Sequence, residues 1–169
     1  MTGSDVLVDA FERVRDAVHP AVNGLSQEEL AFRPDPEANS ICWLVWHLTR
    51  IQDDHVAELD GRKQVWTDGG WSKRFALPLD DADTGYGHGP EDVAAVTADA
   101  QMLLGYFEAV HERTLRFVGG LGEADLDQVV DSDWDPPVTM GVRLVSVIAD
   151  DLQHVGQAAF LRGVIARGQ

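Results

Sequence analysis

The sequence predicts an all-α protein, a four-helix bundle with long connections, and three observations lead to this prediction. Four segments carry apolar residues three and four positions apart, which is the spacing of an amphipathic helix. The stretches between them hold most of the glycines and prolines, and they show no convincing set of strands. With 169 residues the chain is long enough to bury a core, so we predict one domain spanning residues 1–169.

The first helix is predicted from Ser4 to Val22, with Ser4 as its N-cap and Pro20 near its end. A short helical turn follows, in which Ser26 and Glu29 have the spacing of a capping box. Five apolar side chains are predicted to mark the inner face of the first helix: Val6, Val8, Phe11, Val14 and Val18.

The second helix is predicted to begin near Asn39 or Ser40 and to end at about Leu59, before Gly61. Residues 61–89 then form a long, irregular, glycine-rich connection. Connections of this length are usually functional or mobile. Three aromatic residues could line the mouth of a pocket or pin this connection to the bundle, and the sequence favours neither: Trp66, Trp71 and Tyr86.

The third helix is predicted to start at Pro90, because the acidic residues Glu91 and Asp92 suit a first turn, and to continue to Gly119. The connection after it contains one more short helical turn, with the sequence GEADLDQ. The fourth helix is predicted from about Val142 to Arg167.

The formal net charge of −16 restricts the classes of partner. Phosphate backbones and anionic membrane surfaces both attract clustered Lys and Arg, so the charge argues against nucleic acid and against membranes. No apolar run approaches the ~20 residues that span a bilayer, and the N-terminus has no signal pattern. The single Cys42 cannot form an internal disulfide, and its apolar neighbours favour a buried thiol over a nucleophile. These features predict a soluble, cytoplasmic protein.

Three polar residues fall on otherwise apolar helix faces. His47 has the spacing of the inner face of the second helix, between Leu44 and Ile51. Asp150 and His154 are four residues apart on the fourth helix, so their side chains lie one above the other on the same face. Two histidines and a carboxylate form a recurrent open metal site, which suits zinc and also iron or nickel.

The spacing allows two other interpretations of these residues. A buried Asp–His pair can be a self-contained hydrogen-bonded couple that holds no metal. Asp151, three positions before His154, is an alternative carboxylate ligand, or a partner that orients a ligand. From the spacing alone these interpretations remain open.

Residues 25–55 and 138–163 resemble the DinB-like superfamily of metal-binding four-helix bundles, and in particular a branch of short bacterial proteins. The matching motifs are NSICWLVWHL in the first stretch and DDLQHVGQ in the second. The resemblance implies one divalent cation between the second and last helices, with His47, Asp150 and His154 as ligands by position. The usual last-helix motif is H-x-x-x-H. A carboxylate replaces its first histidine here, as in the mycothiol-dependent maleylpyruvate isomerases.

The resemblance also implies a chemistry. Enzymes that look like this chain bind a low-molecular-weight thiol, such as mycothiol or bacillithiol, as the nucleophilic thiolate. The first hypothesis is therefore a metal-dependent thiol S-transferase, with zinc as the first choice of metal, acting on small electrophiles. The alternatives are a non-catalytic metal- or ligand-binding bundle and a metal-dependent hydrolase. Similar proteins are often homodimers. Trp43 and Trp46 are predicted to lie in the core or at an interface, and in the second case they would offer exposed apolar area to a partner.

Other polar residues have lesser predicted roles. Gln157 could orient a metal-bound water or cap neighbouring groups, and Arg50 is predicted to pair with Asp54 rather than to meet an acidic substrate. His55 lies ~12 Å along the helix from His47, too far to share its ion. The remaining histidines are predicted to be surface or loop residues: His19, His88 and His111.

Overall fold

The computed structural model describes residues 1–168, and that part of the chain is mostly helical. The helices are α1 (Gly3–Val22), α2 (Gln27–Ala31), α3 (Ile41–Asp60), α4 (Val65–Asp68), α5 (Trp71–Phe75), α6 (Pro90–Ala95), α7 (Ala100–Val118), α8 (Glu123–Leu126) and α9 (Met140–Gly168). The long helices pack in the cyclic order α1, α9, α3, α7 and back to α1. The prediction of an all-α helical bundle is confirmed.

The N-terminus of α1 differs from its prediction. Thr2, not Ser4, is the N-cap, because its hydroxyl accepts from the Asp5 N–H while the Asp5 carboxylate accepts from the Thr2 N–H. Ser4 is buried inside the first turn and donates its hydroxyl to the Val118 carbonyl at 2.6 Å, which ties α1 to α7. Val6 is 52% exposed and does not belong to the inner face.

The ends of α3 agree with the predicted signals. The Ser40 hydroxyl caps the helix by accepting from the Trp43 N–H at 3.1 Å, and Gly61 ends it in the left-handed conformation at φ 64°. Every residue from 41 to 50 is buried. This helix lies between α7, α9 and the long connection, which explains why its polar side chains are buried as well as its apolar ones.

The prediction of one continuous third helix is wrong, because the structure divides this segment into two helices. α6 ends at Ala95, and α7 begins at Ala100 with Asp99 as the N-cap, whose carboxylate accepts from the Met102 N–H at 2.7 Å. A capping side chain competes with continuation of the preceding helix. The break also buries Val96 and Ala98 in the core, so packing favours it too.

A small antiparallel sheet precedes α9 and was not predicted. β1 (Val129–Asp131) pairs with β2 (Val138–Thr139). Arg143 in the first turn of α9 donates to the Asp131 carboxylate at 2.8 Å, so the hairpin holds the beginning of that helix.

The long connection between α3 and α6 is pinned to the bundle by two of its aromatic residues. Trp66 is 3% exposed and packs against Tyr106 of α7 with the ring centroids 5.1 Å apart, and Trp71 packs against the same ring at 5.8 Å. Tyr86 is 92% exposed. Within residues 1–168, no helix combines the length and the hydropathy needed to cross a bilayer.

Candidate metal centre

His47 lies on α3 with its ring held from two sides. The carbonyl of Thr84, in the long connection, lies 2.5 Å from its Nδ1. Because a carbonyl can only accept, Nδ1 carries the hydrogen and Nε2 keeps a free lone pair. The Trp43 indole stacks on the imidazole at 4.6 Å between centroids, with only 12° between the planes. The ring orientation is therefore fixed without use of Nε2.

Asp150 and His154 face His47 from α9. The Nδ1 of His154 lies 2.9 Å from the Asp150 carbonyl one turn earlier and therefore donates to it, which leaves Nε2 free in the same way. The Asp150 Oδ2 lies 3.3 Å from that Nδ1. Oδ2 is buried. Because the His154 N–H is directed at the carbonyl instead, Oδ2 has no hydrogen-bond partner among the described residues.

The structure brings the three predicted residues together. His47, Asp150 and His154 each offer a donor atom, and these atoms all lie within 4.8 Å of one another. The two imidazole rings meet edge to face at 4.7 Å between centroids. Over residues 1–168, this is the group of histidine, cysteine and acidic side chains that could hold a metal ion.

The electrostatics of the group keep the Asp150 carboxylate ionised. Burial lowers the pKa of His47, and the nearby His154 and His88 lower it further. Interaction with the Asp150 carboxylate raises the pKa of His154. Burial acts to raise the pKa of Asp150, but its interactions with the neighbouring His154 outweigh burial, so the pKa is lowered. The carboxylate is thus held as an anion beside two imidazoles.

Asp151 lies elsewhere. Its side chain is fully buried in the bundle interior, and neither carboxyl oxygen has a hydrogen-bond partner within the described part of the chain. Burial raises the pKa of Asp151 well above its ordinary value, and the charge of Asp150 adds to the effect. Asp151 is not a member of the converging group, so Asp150 is the carboxylate that faces the histidines.

These donors fit a small divalent cation. Two imidazole nitrogens with free lone pairs and one carboxylate oxygen without a partner form a ligand set typical of catalytic zinc sites. A buried carboxylate oxygen left unpaired is costly, and a bound cation would satisfy it. The Thr84 carbonyl on Nδ1 of His47 is the kind of outer partner that orients a ligating histidine.

Several polar residues near the centre differ from their predictions. Arg50 does not pair with Asp54; its guanidinium is fully buried, donates to the Asp81 and Asp83 carbonyls and lies 3.9 Å from Asp53. These contacts could not be predicted, because backbone carbonyls about 30 residues away carry no side-chain pattern.

The remaining histidines also differ from the predicted surface positions. His88 lies in a loop as predicted, but its side chain is only 6% exposed and contacts the Asp83 carboxylate at 2.9 Å. His111 is buried on α7, and His19 contacts Glu108. His55 lies outside the converging group and contacts Arg143 at 3.4 Å.

The thiol of Cys42 is buried, as the sequence predicted. It contacts the Ala98 carbonyl, and burial raises its pKa to about 12. A thiol with that pKa stays protonated at neutral pH and is a poor nucleophile. Any thiolate used by this protein must therefore come from outside the chain.

A surface groove of about 430 Å³ runs beside the centre, between α3 and α9. Among its lining residues, Gln153 and Gln157 are close to His154 in sequence and Leu44 lies one turn before His47, so the groove lies next to the ligand group, although the three ligands do not line it. The residues that line it carry amide side chains, such as that of Asn39, and apolar ones, such as that of Phe160. None of these lining residues is charged. A neutral organic molecule therefore suits it better than a phosphate or a carboxylate.

Comparison with known proteins then places the chain in a family. The sequence model of the DinB superfamily matches residues 10–158. The chain belongs to the DinB superfamily. The crystal structure of a conserved protein of a locus from Enterococcus faecalis is similar to this DinB fold, with a TM-score of 0.90 and 32% sequence identity over 96% of each chain. None of the curated proteins matches the sequence.

Membership of the DinB superfamily agrees with the resemblance seen in the two sequence motifs. Proteins of the DinB superfamily often bind metal, and in this member His47, Asp150 and His154 could hold one. The family and the ligand group together are consistent with a metal-binding site.

Proposed function

We propose that this DinB protein binds one divalent metal ion, zinc first, through His47, Asp150 and His154. The observation that carries the proposal is the convergence of these three side chains, whose donor atoms lie within 4.8 Å of one another. Asp150 also has a buried carboxylate oxygen with no hydrogen-bond partner among residues 1–168. Nickel and iron are the other candidates, because both accept imidazole and carboxylate ligands.

We propose further that the metal centre serves a thiol S-transferase. A bound zinc ion supplies one kind of chemistry here: it stabilises a coordinated thiol as the thiolate, which is the attacking form. The chain's own residues prepare the site. Thr84 and Trp43 hold the His47 ring, and the uncharged groove beside Leu44 admits a neutral part of the thiol or of the electrophile. Because the buried Cys42 thiol stays protonated, the attacking thiolate must come from an external thiol.

Metal binding can be tested by removing one ligand and one matched histidine. After treatment with a chelator, the wild type should take up one zinc ion per chain. His154→Ala should lose more affinity than the ~10–100-fold that loss of an outer partner costs. The control is His55→Ala, since His55 is a half-buried histidine outside the ligand group, and this variant should bind like the wild type. Equal metal content in all three proteins would contradict the proposal.

The reaction can be tested with the loaded and the metal-free protein. We expect loaded protein to consume a low-molecular-weight thiol when a small electrophile is present, and metal-free protein to be inactive. Hydrolysis of an ester without thiol consumption would favour the hydrolase. Bound metal with neither activity would favour a non-catalytic binding protein.

We also propose that the protein is a homodimer, but not through the surface expected from the sequence. Trp43 and Trp46 are 6% and 1% exposed, so they offer no area for a partner. The outward face of α9 does. It carries exposed apolar and small residues at helical spacing, a set that we call the α9 stripe: Val142, Val145, Ala149 and Leu152.

Charge selects a second copy of this chain as the occupant of the α9 stripe. The protein carries 29 acidic residues, yet the acidic residues of α9 are only Asp150 and Asp151, and both turn away from the stripe. Two chains of charge −16 repel each other least where neither presents a carboxylate. A two-fold axis across one long helix face gives each copy the same contacts.

A further inference from the structure

We propose that residues 81–88, here called the clamp loop, are a positioning element that fixes the His47 ring for metal binding, and that Gly85 is the residue that makes this possible. The inference rests on the proposed role of His47 as a ligand. The hydrogen bond from the His47 Nδ1 to the Thr84 carbonyl joins α3 to the clamp loop across 37 residues of sequence.

Gly85 allows this approach because it has no side chain. Its φ is +93°, a conformation that other residues rarely adopt. A Cβ at this position would lie 2.7 Å from the His47 Nδ1 and 3.1 and 3.2 Å from the rings of Trp46 and Trp43. Any larger residue would therefore push the loop off the imidazole or rotate the imidazole itself.

Arg50 anchors the clamp loop to the same helix that carries His47. It lies three residues further along α3, and its guanidinium is fully buried. It donates to the Asp83 carbonyl at 3.0 Å, to the Asp81 carbonyl at 3.2 Å and to the Gln64 side chain at 2.6 Å. A planar group that serves several acceptors at once holds the loop backbone at a defined distance from the helix.

His88 closes the clamp loop on its other side. Its Nε2 lies 2.9 Å from the Asp83 carboxylate, and its Nδ1 accepts from the Trp43 indole N–H at 3.0 Å. The same carboxylate accepts from the Gly85 N–H at 2.8 Å. Trp43 in turn stacks on His47, so the polar contacts run from the loop back to the ligand. The ring is enclosed by partners that are themselves fixed.

The test compares two glycines of the same loop. Gly85→Ala introduces the Cβ that meets His47. Gly87→Ala is the matched control, because Gly87 also has a positive φ, +76°, but no described atom lies within 4 Å of its would-be Cβ. The backbone strain is thus similar and only the contact with the ligand differs. We expect Gly85→Ala to bind zinc ~10–100-fold more weakly than Gly87→Ala.

A second readout separates positioning from general damage to the fold. The visible absorption bands of bound Co²⁺ report the arrangement of its ligands, so they should shift in Gly85→Ala and stay unchanged in Gly87→Ala. Arg50→Lys keeps the charge but loses the planar fork, and it should shift the bands and weaken zinc binding in the same direction. If Gly85→Ala does not fold, Arg50→Lys decides the outcome.

The outcomes distinguish the two proposals. A wild type that binds neither zinc nor nickel nor iron overturns the proposed function, and with it the role of the clamp loop. A wild type that binds zinc, with Gly85→Ala equal to Gly87→Ala in affinity and in Co²⁺ spectrum, overturns the role of the clamp loop and leaves the metal site standing. Unchanged zinc affinity and an unchanged Co²⁺ spectrum in Arg50→Lys would contradict the proposal that Arg50 anchors the clamp loop to α3.

Discussion

Asp53 shows how one buried carboxylate can organise a connection. It accepts from the backbone N–H groups of Val65 and Trp66 at 2.8 and 2.7 Å and from the Tyr106 hydroxyl at 2.9 Å. These bonds fix the beginning of α4 on α3 and tie both to α7. Burial raises the pKa of Asp53 despite the donors that lower it, so the group is expensive to bury and depends on those donors.

We expect Asp53→Asn to lower the free energy of unfolding by about 1–3 kcal/mol, because the new amide NH₂ would face donors that need an acceptor. Urea unfolding at neutral pH measures this. Asp54→Asn is the control, since the neighbouring carboxylate accepts one side-chain bond from Gln64 and is less buried. An equal loss in the two variants would show that the buried network has no special weight.

Between elements, Glu108 connects α7 with α1. Its carboxylate accepts from Arg15 Nε at 2.8 and 3.1 Å and contacts His19. Burial acts to raise the pKa of Glu108, but the contacts with His19 and Arg15 outweigh it and lower the pKa below its ordinary value. A group whose folded pKa is lowered stabilises the fold above its unfolded pKa and loses that effect as the pH falls through its folded pKa.

Glu108→Gln should therefore be less stable than the wild type at pH 7, and the difference should shrink toward about pH 3. The carboxylate is partly exposed, so we expect no more than about 1 kcal/mol. Thermal unfolding at both pH values measures it. Glu112→Gln, which removes an exposed pair within α7, should have a smaller effect. A penalty that grows with acidity would be incompatible with this sign.

At the scale of the whole molecule, net charge and the α9 stripe act against each other. Dimerisation must bring two chains of charge −16 together, and screening of that repulsion should favour it. Light scattering should therefore show the dimer fraction rising with added NaCl. A wild type that stays monomeric at every salt concentration would show that the α9 stripe is not an interface between copies.

Leu152→Glu, within the α9 stripe, should weaken the dimer at least ~10-fold, equivalent to about 1.4 kcal/mol. Val6→Glu introduces the same charge at a residue of similar exposure on α1, and it should leave the dimer intact. If both variants weaken the dimer equally, the added charge is responsible rather than its position.

The sequence predicted the parts of the fold that are encoded locally. Helical spacing and caps such as Ser26 and Ser40 predicted most helices, and the four-residue separation of Asp150 and His154 predicted one side of the centre. The break before α7 also had a local signal, the capping residue Asp99, which continuous periodicity on both sides concealed.

Other features could not be predicted because they depend on distant backbone. The Thr84 carbonyl has no side-chain signature, and the partners of His88 become neighbours only when the long connection folds back over α3. Burial of Trp43 and Trp46 depends on the same connection. The ligand positions on the helices could thus be predicted from the sequence, whereas the contacts that the long connection makes with them could not.

The position of Arg50 one turn after His47 on a single rigid helix has a mechanical consequence. When the helices of the bundle fluctuate, His47 and Arg50 move together with α3, so their relative geometry is preserved. Asp150 and His154 lie on α9, so the distance between α3 and α9 is the quantity that can still vary within the ligand group. An ion held across that gap would act as a cross-tie, and its release would loosen the bundle along this one seam.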